Sequence, residues 1–163
     1  MPMTQPPFGY IVGQTADTSP ANQTAPANTT AYFMQGLGAL LTPTTPSGQV
    51  LVLISGTLTD SATTVGEGIK LQLYYGPMVA GVAAPANAGA IPAAAVPLGP
   101  VMIWATGVTL TTAADLFQPF CIHGVAKGLT PNQQYWFDLA AESVTTASDV
   151  AITNAHISLA EIG

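Results

Sequence analysis

The sequence predicts an all-β fold of antiparallel strands, a sandwich, a jelly roll or a closed barrel, with an extended arm in front of it. Three observations lead there. Seven to nine short apolar or alternating segments are separated by Gly, Pro, Asn and Ser turn signals. No segment carries the i, i+3, i+4 spacing of an amphipathic helix, and residues 111–117 have room for one helical turn at most. The Ala-rich stretch 76–100, otherwise a helix former, holds five prolines. At 163 residues the chain is long enough for one domain and one real core, and short for two.

The arm is residues 1–30. Pro2, Pro6, Pro7, Pro20 and Pro26 stand there among Thr, Gln, Asn and Ala, and proline both removes backbone donors and favours extended backbone. Its one apolar patch, Phe8-Gly9-Tyr10-Ile11-Val12, is expected to dock on the chain's own domain or on a neighbour, which makes Phe8, Tyr10 and Ile11 candidate interface residues. Asn22-Gln23-Thr24 and Asn28-Thr29-Thr30 match the glycosylation sequon, by chance in a chain whose first 15 residues lack the basic start and apolar block of a signal peptide.

Residues 31–163 are expected to form the sandwich. Residues 31–41 read as one strand or as a pair broken at Gly36 and Gly38, and 42–48 as a loop. Gln49 to Thr59 is the clearest core strand; its run Val50-Leu51-Val52-Leu53-Ile54 predicts burial on both faces. After a turn at 60–68, Ile69, Leu71, Leu73 and Tyr75 share one face and Lys70, Gln72 and Tyr74 the other. Stretch 76–100 carries no charge and reads as a long loop, of a length that is commonly functional or disordered. Its Met78, Val79, Val82, Ile91, Val96 and Leu98 would make an exposed apolar patch on a monomer, so they join the candidate interface.

Four strands follow. Residues 101–110 carry Ile103 and Trp104; residues 119–126 put Phe120 and Ile122 on one face, Cys121 and His123 on the other. Residues 135–141 point Tyr135, Phe137 and Leu139 inward, Trp136 and Asp138 outward. In residues 150–162 Val150 and Ile152 have one parity and Ile157 and Leu159 the other, which a β-bulge near Asn154 or Ala155 reconciles.

Composition narrows the function. Charged residues are 6% of the chain and hydrophobic ones 48%, where ordinary soluble domains carry about 25% charge. A surface so poor in charge suits a protein largely covered by partners, because interface cores are depleted in charge. Lys70 and Lys127 are the only strong bases in a chain of net charge −6. Nucleic-acid partners and anionic membrane surfaces are excluded, since both draw on many cations. Cys121 is the one cysteine, read as a small apolar residue, and no intrachain disulfide is possible. The longest apolar runs are too short and too broken to span a bilayer as helices. The chain is expected to be made in a host cytoplasm and to leave inside a particle.

The catalytic inventory is thin. His123 and His156 are the only histidines, no G-x-S-x-G occurs, and no zinc pattern is possible. Asp138, Glu142 and Asp149 fall near one strand end, but no D-x-D-x-D-G loop appears and solvated carboxylates are the simpler reading. Gly66-Glu67-Gly68 is a turn without the strand-to-helix context of a phosphate loop. No enzyme, cofactor or metal is expected. Tyr74, Tyr75, Trp104 and Trp136 are the residues that would stack on a sugar, although such aromatics usually belong to a core.

The run from His123 to Ala140 resembles the penultimate hairpin of small β-sandwich proteins in tailed-phage virions. Its Gly128-Leu129-Thr130-Pro131-Asn132-Gln133-Gln134-Tyr135 is similar to inter-strand turns of fibronectin-type sandwiches: Leu129 tucks under the turn, Pro131 presets it and Tyr135 opens the next strand. The closing run Ala151 to Leu159 is similar to the last strand of such phage domains. The resemblance implies an antiparallel, jelly-roll-like sandwich that forms trimers in the virion. Its function would be that of a non-enzymatic capsid decoration (cement) protein that binds the major capsid protein, or of a head spike. A glycan- or receptor-binding domain of a fibre or spike is the alternative.

Overall fold

The computed structural model describes residues 17–18, 23–24, 31–60, 66–80, 83–105, 116–145 and 150–162. Among them run ten strands: β1 Asp17–Thr18, β2 Gln23–Thr24, β3 Phe33–Met34, β4 Ala39–Leu41, β5 Gln49–Asp60, β6 Gly68–Pro77, β7 Val96–Ala105, β8 Leu116–Ala126, β9 Tyr135–Ser143 and β10 Val150–Ile162. They form two antiparallel five-stranded sheets. In the first, β1 and β2 pair with β10, which pairs with β5, which pairs with β8. In the second, β3 and β4 pair with β9, followed by β6 and then β7. From β4 onward every link except β6 to β7 passes from one sheet to the other. That wrapping makes the sandwich jelly-roll-like, as the sequence predicts.

The alternation read from the sequence produces the core. Ile69, Leu71 and Leu73 of β6 and Phe137 and Leu139 of β9 are fully buried, facing Val50, Val52, Ile54 and Leu58 of β5 and Ile152, Ile157 and Leu159 of β10. Each such side chain contributes about 1.5–3 kcal/mol relative to exposure. The parity switch in β10 is resolved by the expected bulge: its register against β5 shifts between Thr153 and His156, and Asn154 has φ of 52°. A second bulge lies between β6 and β7. One residue, Gln72, faces three on β7, and its side-chain amide donates to the carbonyls of Leu98 and Gly99, both at 3.0 Å. Residues 31–41 are a broken pair, and the turn before β9 is held as expected, with Leu129 buried and the Thr130 N–H donating to the Tyr135 hydroxyl at 3.0 Å.

Four expectations need correction. The β5 run is not buried on both faces: Leu53 is 40% exposed, because nothing described covers that side of the first sheet. Trp136 and Asp138 do not face solvent; they are 3% and 0% exposed. Segment 31–38 and loop residues 78–80 and 83–95 lie over the outer face of the second sheet and form a roof, with Met34, Trp136 and Ala140 at its centre. The long loop is shorter than 76–100, since β6 continues through Pro77 and β7 starts at Val96. Strand β8 begins at Leu116, ahead of the expected 119, and residues 111–115 of the stretch with room for a helical turn lie outside the described residues.

Glu161 anchors the loop before β5. Its buried carboxylate accepts from the backbone N–H of Thr44 (2.6 Å) and Thr45 (2.5 Å) and from both hydroxyls. Burial raises its pKa, but these bonds, Thr45's first, outweigh that and hold the carboxyl below its ordinary value. Glu161→Ala is therefore expected to cost about 1–2 kcal/mol, for the loss of these hydrogen bonds to partly exposed donors, read from the denaturation midpoint.

Candidate interaction surfaces

The proposed interface residues do not form one surface. Leu98 is 8% exposed and belongs to the main core. Met78 and Ile91 are half-buried and pack into the roof over β9. Val79 and Val96 are exposed, at 53% and 43%. Phe8, Tyr10, Ile11 and Val82 lie outside the described residues. The alanine- and proline-rich loop spends much of its apolar content on its own sheet. Contacts distant in sequence hold it there: Met34 N–H donates to the Gly89 carbonyl (2.8 Å) and Ala88 N–H to the Met34 carbonyl (2.9 Å).

The two described fragments of the arm, β1 and β2, pair with β10 at Ser158 and Ile157 and at Ala151 and Ile152. The outer edge of β10 is thus paired by the chain itself at these four positions. Strands β3 and β4 do the same for β9. Among the described residues, β7 and β8, which lie at the same side of the sandwich, each pair with a strand on one side only.

That side carries the exposed apolar residues the sequence reading missed. Ile103 is 63% exposed, Phe117 66% and Val101 44%. A groove of about 300 Å³ runs between the two strands, lined by Pro100, Val101, Met102, Cys121, Ile122 and His123. The one signal available beforehand was parity: in 101–105, Met102 and Trp104 turn toward the core, so Val101 and Ile103 must turn away from it.

The titratable groups are structural in setting. Asp138, on the roofed face, accepts from the backbone N–H of Leu37 (2.9 Å), Leu139 (2.7 Å) and Gly36 (3.1 Å). Burial nonetheless pushes its pKa up to about 7. Glu142 pairs with Lys70 at 2.9 Å, and Asp149 lies outside the described residues. Among the described residues no group of three or more His, Cys, Asp or Glu side chains is placed to hold a metal ion. Cys121 is exposed in the groove and His123 is exposed beside it. The aromatics are spoken for: Trp136 is buried in the roof, Tyr74 packs against it, and Tyr75 stacks on Phe137 at 5.9 Å between ring centroids. Trp104 packs half-buried against the core. None of the four presents a free platform for a sugar ring.

No family model matches the chain, and no curated protein sequence does. Among solved structures, a chain of infectious bursal disease virus, Gx strain, superposes over 90% of this chain with a TM-score of 0.31 and 13% identity. A chain of the Gt strain of the same virus covers 95% with a TM-score of 0.23 and 14% identity. This chain spans 31% of the first and 41% of the second.

Proposed function

We propose that the chain is a non-enzymatic structural protein of a virion, a capsid decoration protein that binds the major capsid protein, self-associates as a homotrimer and stabilises the particle. The observation that carries this reading is a sandwich built from a chain with 6% charged residues, in which Asp138, Glu142 and Glu161 are engaged by the chain's own groups. Like-charged neighbours repel in a crowded lattice, and a neutral polar surface avoids that. The resemblance of the 123–140 and 151–159 segments to tailed-phage sandwiches points the same way. The arm ahead of β1 and the exposed Val79 of the roof loop supply the contacts to the capsid.

The test is cosedimentation with particles assembled without the protein. Full-length protein is expected to bind them and to raise the temperature at which they open. A chain lacking residues 1–16 keeps the β1 and β2 pairings with β10 but loses Phe8, Tyr10 and Ile11, and is expected to stay folded and bind at least tenfold more weakly. Absence of binding by the full chain would overturn the reading; equal binding by the shortened chain would remove the arm from it.

A further inference from the structure

We propose that the roof over β9 is a cover latched by the Asp138 side chain, and that it lifts from the second sheet while the sandwich beneath stays folded. The device is internal to one chain, so it stands apart from any binding to a particle.

The roof has a small apolar cluster of its own. Met34, Trp136 and Ala140 are its buried members, with Tyr74, Met78 and Ile91 among the half-buried residues around them. None of these belongs to the main core between the sheets, so lifting the roof leaves that core intact. Segments with few buried apolar contacts open at less than the free energy of global unfolding. Strand β3 holds the roof at two positions, Phe33 against Ala141 and Met34 against Ala140. Beyond it the Asp138 side chain ties residues 36–37 to the sheet, accepting from the N–H groups of Gly36 (3.1 Å) and Leu37 (2.9 Å).

Closure carries three costs at this latch. Gln35 is 2% exposed, and its buried amide oxygen has no hydrogen-bond partner among the described residues. Ala88, whose N–H donates to the Met34 carbonyl at 2.9 Å, has φ of 59°, in the left-handed region that L side chains avoid. The carboxyl of Asp138 is 0% exposed, where its charge is disfavoured. All three are relieved when residues 35–38 and 83–95 lift and water reaches them.

The third cost depends on pH. With the roof closed the Asp138 pKa stands at about 7, and in water it returns toward 3.8. The closed state therefore holds the extra proton between those values. Its advantage is complete below about pH 4 and is lost as pH rises through 7. The other titratable groups on this face are Tyr32 of the roof, Tyr74 and Lys70 of β6 and Glu142 of β9; residues 78–95, β4 and β7 contribute none. Burial first and Glu142 second raise both tyrosines above 10.0, so both stay neutral at pH 5 and pH 8. Glu142 is paired with Lys70 at 2.9 Å.

The experiment is amide hydrogen exchange of the full chain, read as protection factors at pH 5 and pH 8, which removes the intrinsic pH dependence of exchange. Met34, Leu37 and Ala88 report on the roof, Val52 and Ile54 of β5 on the main core. At both pH values the roof amides are expected to be at least about tenfold less protected than the core ones. Roof protection is expected to fall about a hundredfold from pH 5 to pH 8. Asp138→Asn keeps one carbonyl oxygen as acceptor and carries no charge, and is expected to remove most of that fall. The same variant separates Asp138 from Tyr32, Tyr74, Lys70 and Glu142. Equal protection of roof and core at both pH values would overturn the proposal, because the roof would then open only with the whole fold. Roof protection that does not fall with pH, or a fall that persists in folded Asp138→Asn, would overturn the latch. Should that variant not fold, the wild-type comparisons decide.

Discussion

Gly48→Ala is expected to be among the most damaging single substitutions in the chain, lowering stability by at least about 3 kcal/mol. Gly48 sits at the end of the loop before β5 with φ of +52°, the left-handed region where a side chain costs about 1–2 kcal/mol. A Cβ there would lie 2.0 Å from the Leu129 carbonyl oxygen and 2.9 Å from the Leu129 nitrogen. These are backbone atoms held in place, since the Leu129 N–H donates to the Gly48 carbonyl at 3.0 Å and the Asn132 N–H to the Pro43 carbonyl at 2.8 Å. The clash cannot be relieved by turning a side chain. It must part the 43–48 loop from the turn that launches β9. For a domain of this size such a loss lowers the melting temperature by roughly 6–12 °C. Gly66→Ala is the control: φ is +89° but nothing lies within 4 Å of the new Cβ, so only the backbone penalty applies. Equal melting temperatures for the two variants would show that the loop and turn do not approach so closely.

The second large effect is a pH dependence centred on Asp138. Burial holds its carboxyl protonated up to about pH 7 in the folded chain, against an ordinary value of 3.8. A raised folded-state pKa means that the folded state binds the extra proton between those values. The stabilisation is therefore complete below about pH 4 and is lost as pH rises through 7. About three units at roughly 1.4 kcal/mol each makes the change of order 4 kcal/mol. Glu161 acts in the opposite sense: its depressed pKa supplies stability above the ordinary carboxylate range that is lost in acid. Between pH 5 and pH 8 the change comes from Asp138, since the lowered pKa of Glu161 keeps that carboxyl ionised there. Wild type is expected to be less stable at pH 8 than at pH 5 by urea denaturation, and Asp138→Asn is expected to flatten that slope. Asp138→Ala, which strands the N–H groups of Gly36, Leu37 and Leu139, is expected to lose about 3 kcal/mol at pH 5. A wild type equally stable at both pH values would mean that these three donors keep the carboxylate ionised throughout.

Asp138 also shows where sequence reading stops. Its place between Phe137 and Leu139 on a strand of period two puts it on the face opposite the core, and that much is correct. Whether the opposite face meets water depends on where segment 31–38 and loop residues 78–80 and 83–95 come to rest. That is settled by bonds such as Ala88 to Met34 and by the bridge between Phe33 and Ala90. Nothing local to residues 135–143 encodes it. The apolar loop residues mislead in the same way: Met78 and Ile91 are apolar because they roof a sheet, and Leu98 because it continues a core strand.

The sequence by itself determined the all-β class, most of the long strands, the core-facing residues of β6 and β9 and the bulge at Asn154, because alternation and turn chemistry act over a few residues. It also determined the scarcity of charge, which limits the partners this surface can meet. Tertiary structure alone decided which faces are covered and which edges are paired. Those depend on pairings across most of the chain, such as β1 with β10 and β4 with β9. So Ile103 and Trp104, adjacent residues of one strand, come to serve opposite ends: one faces outward, the other packs against the core.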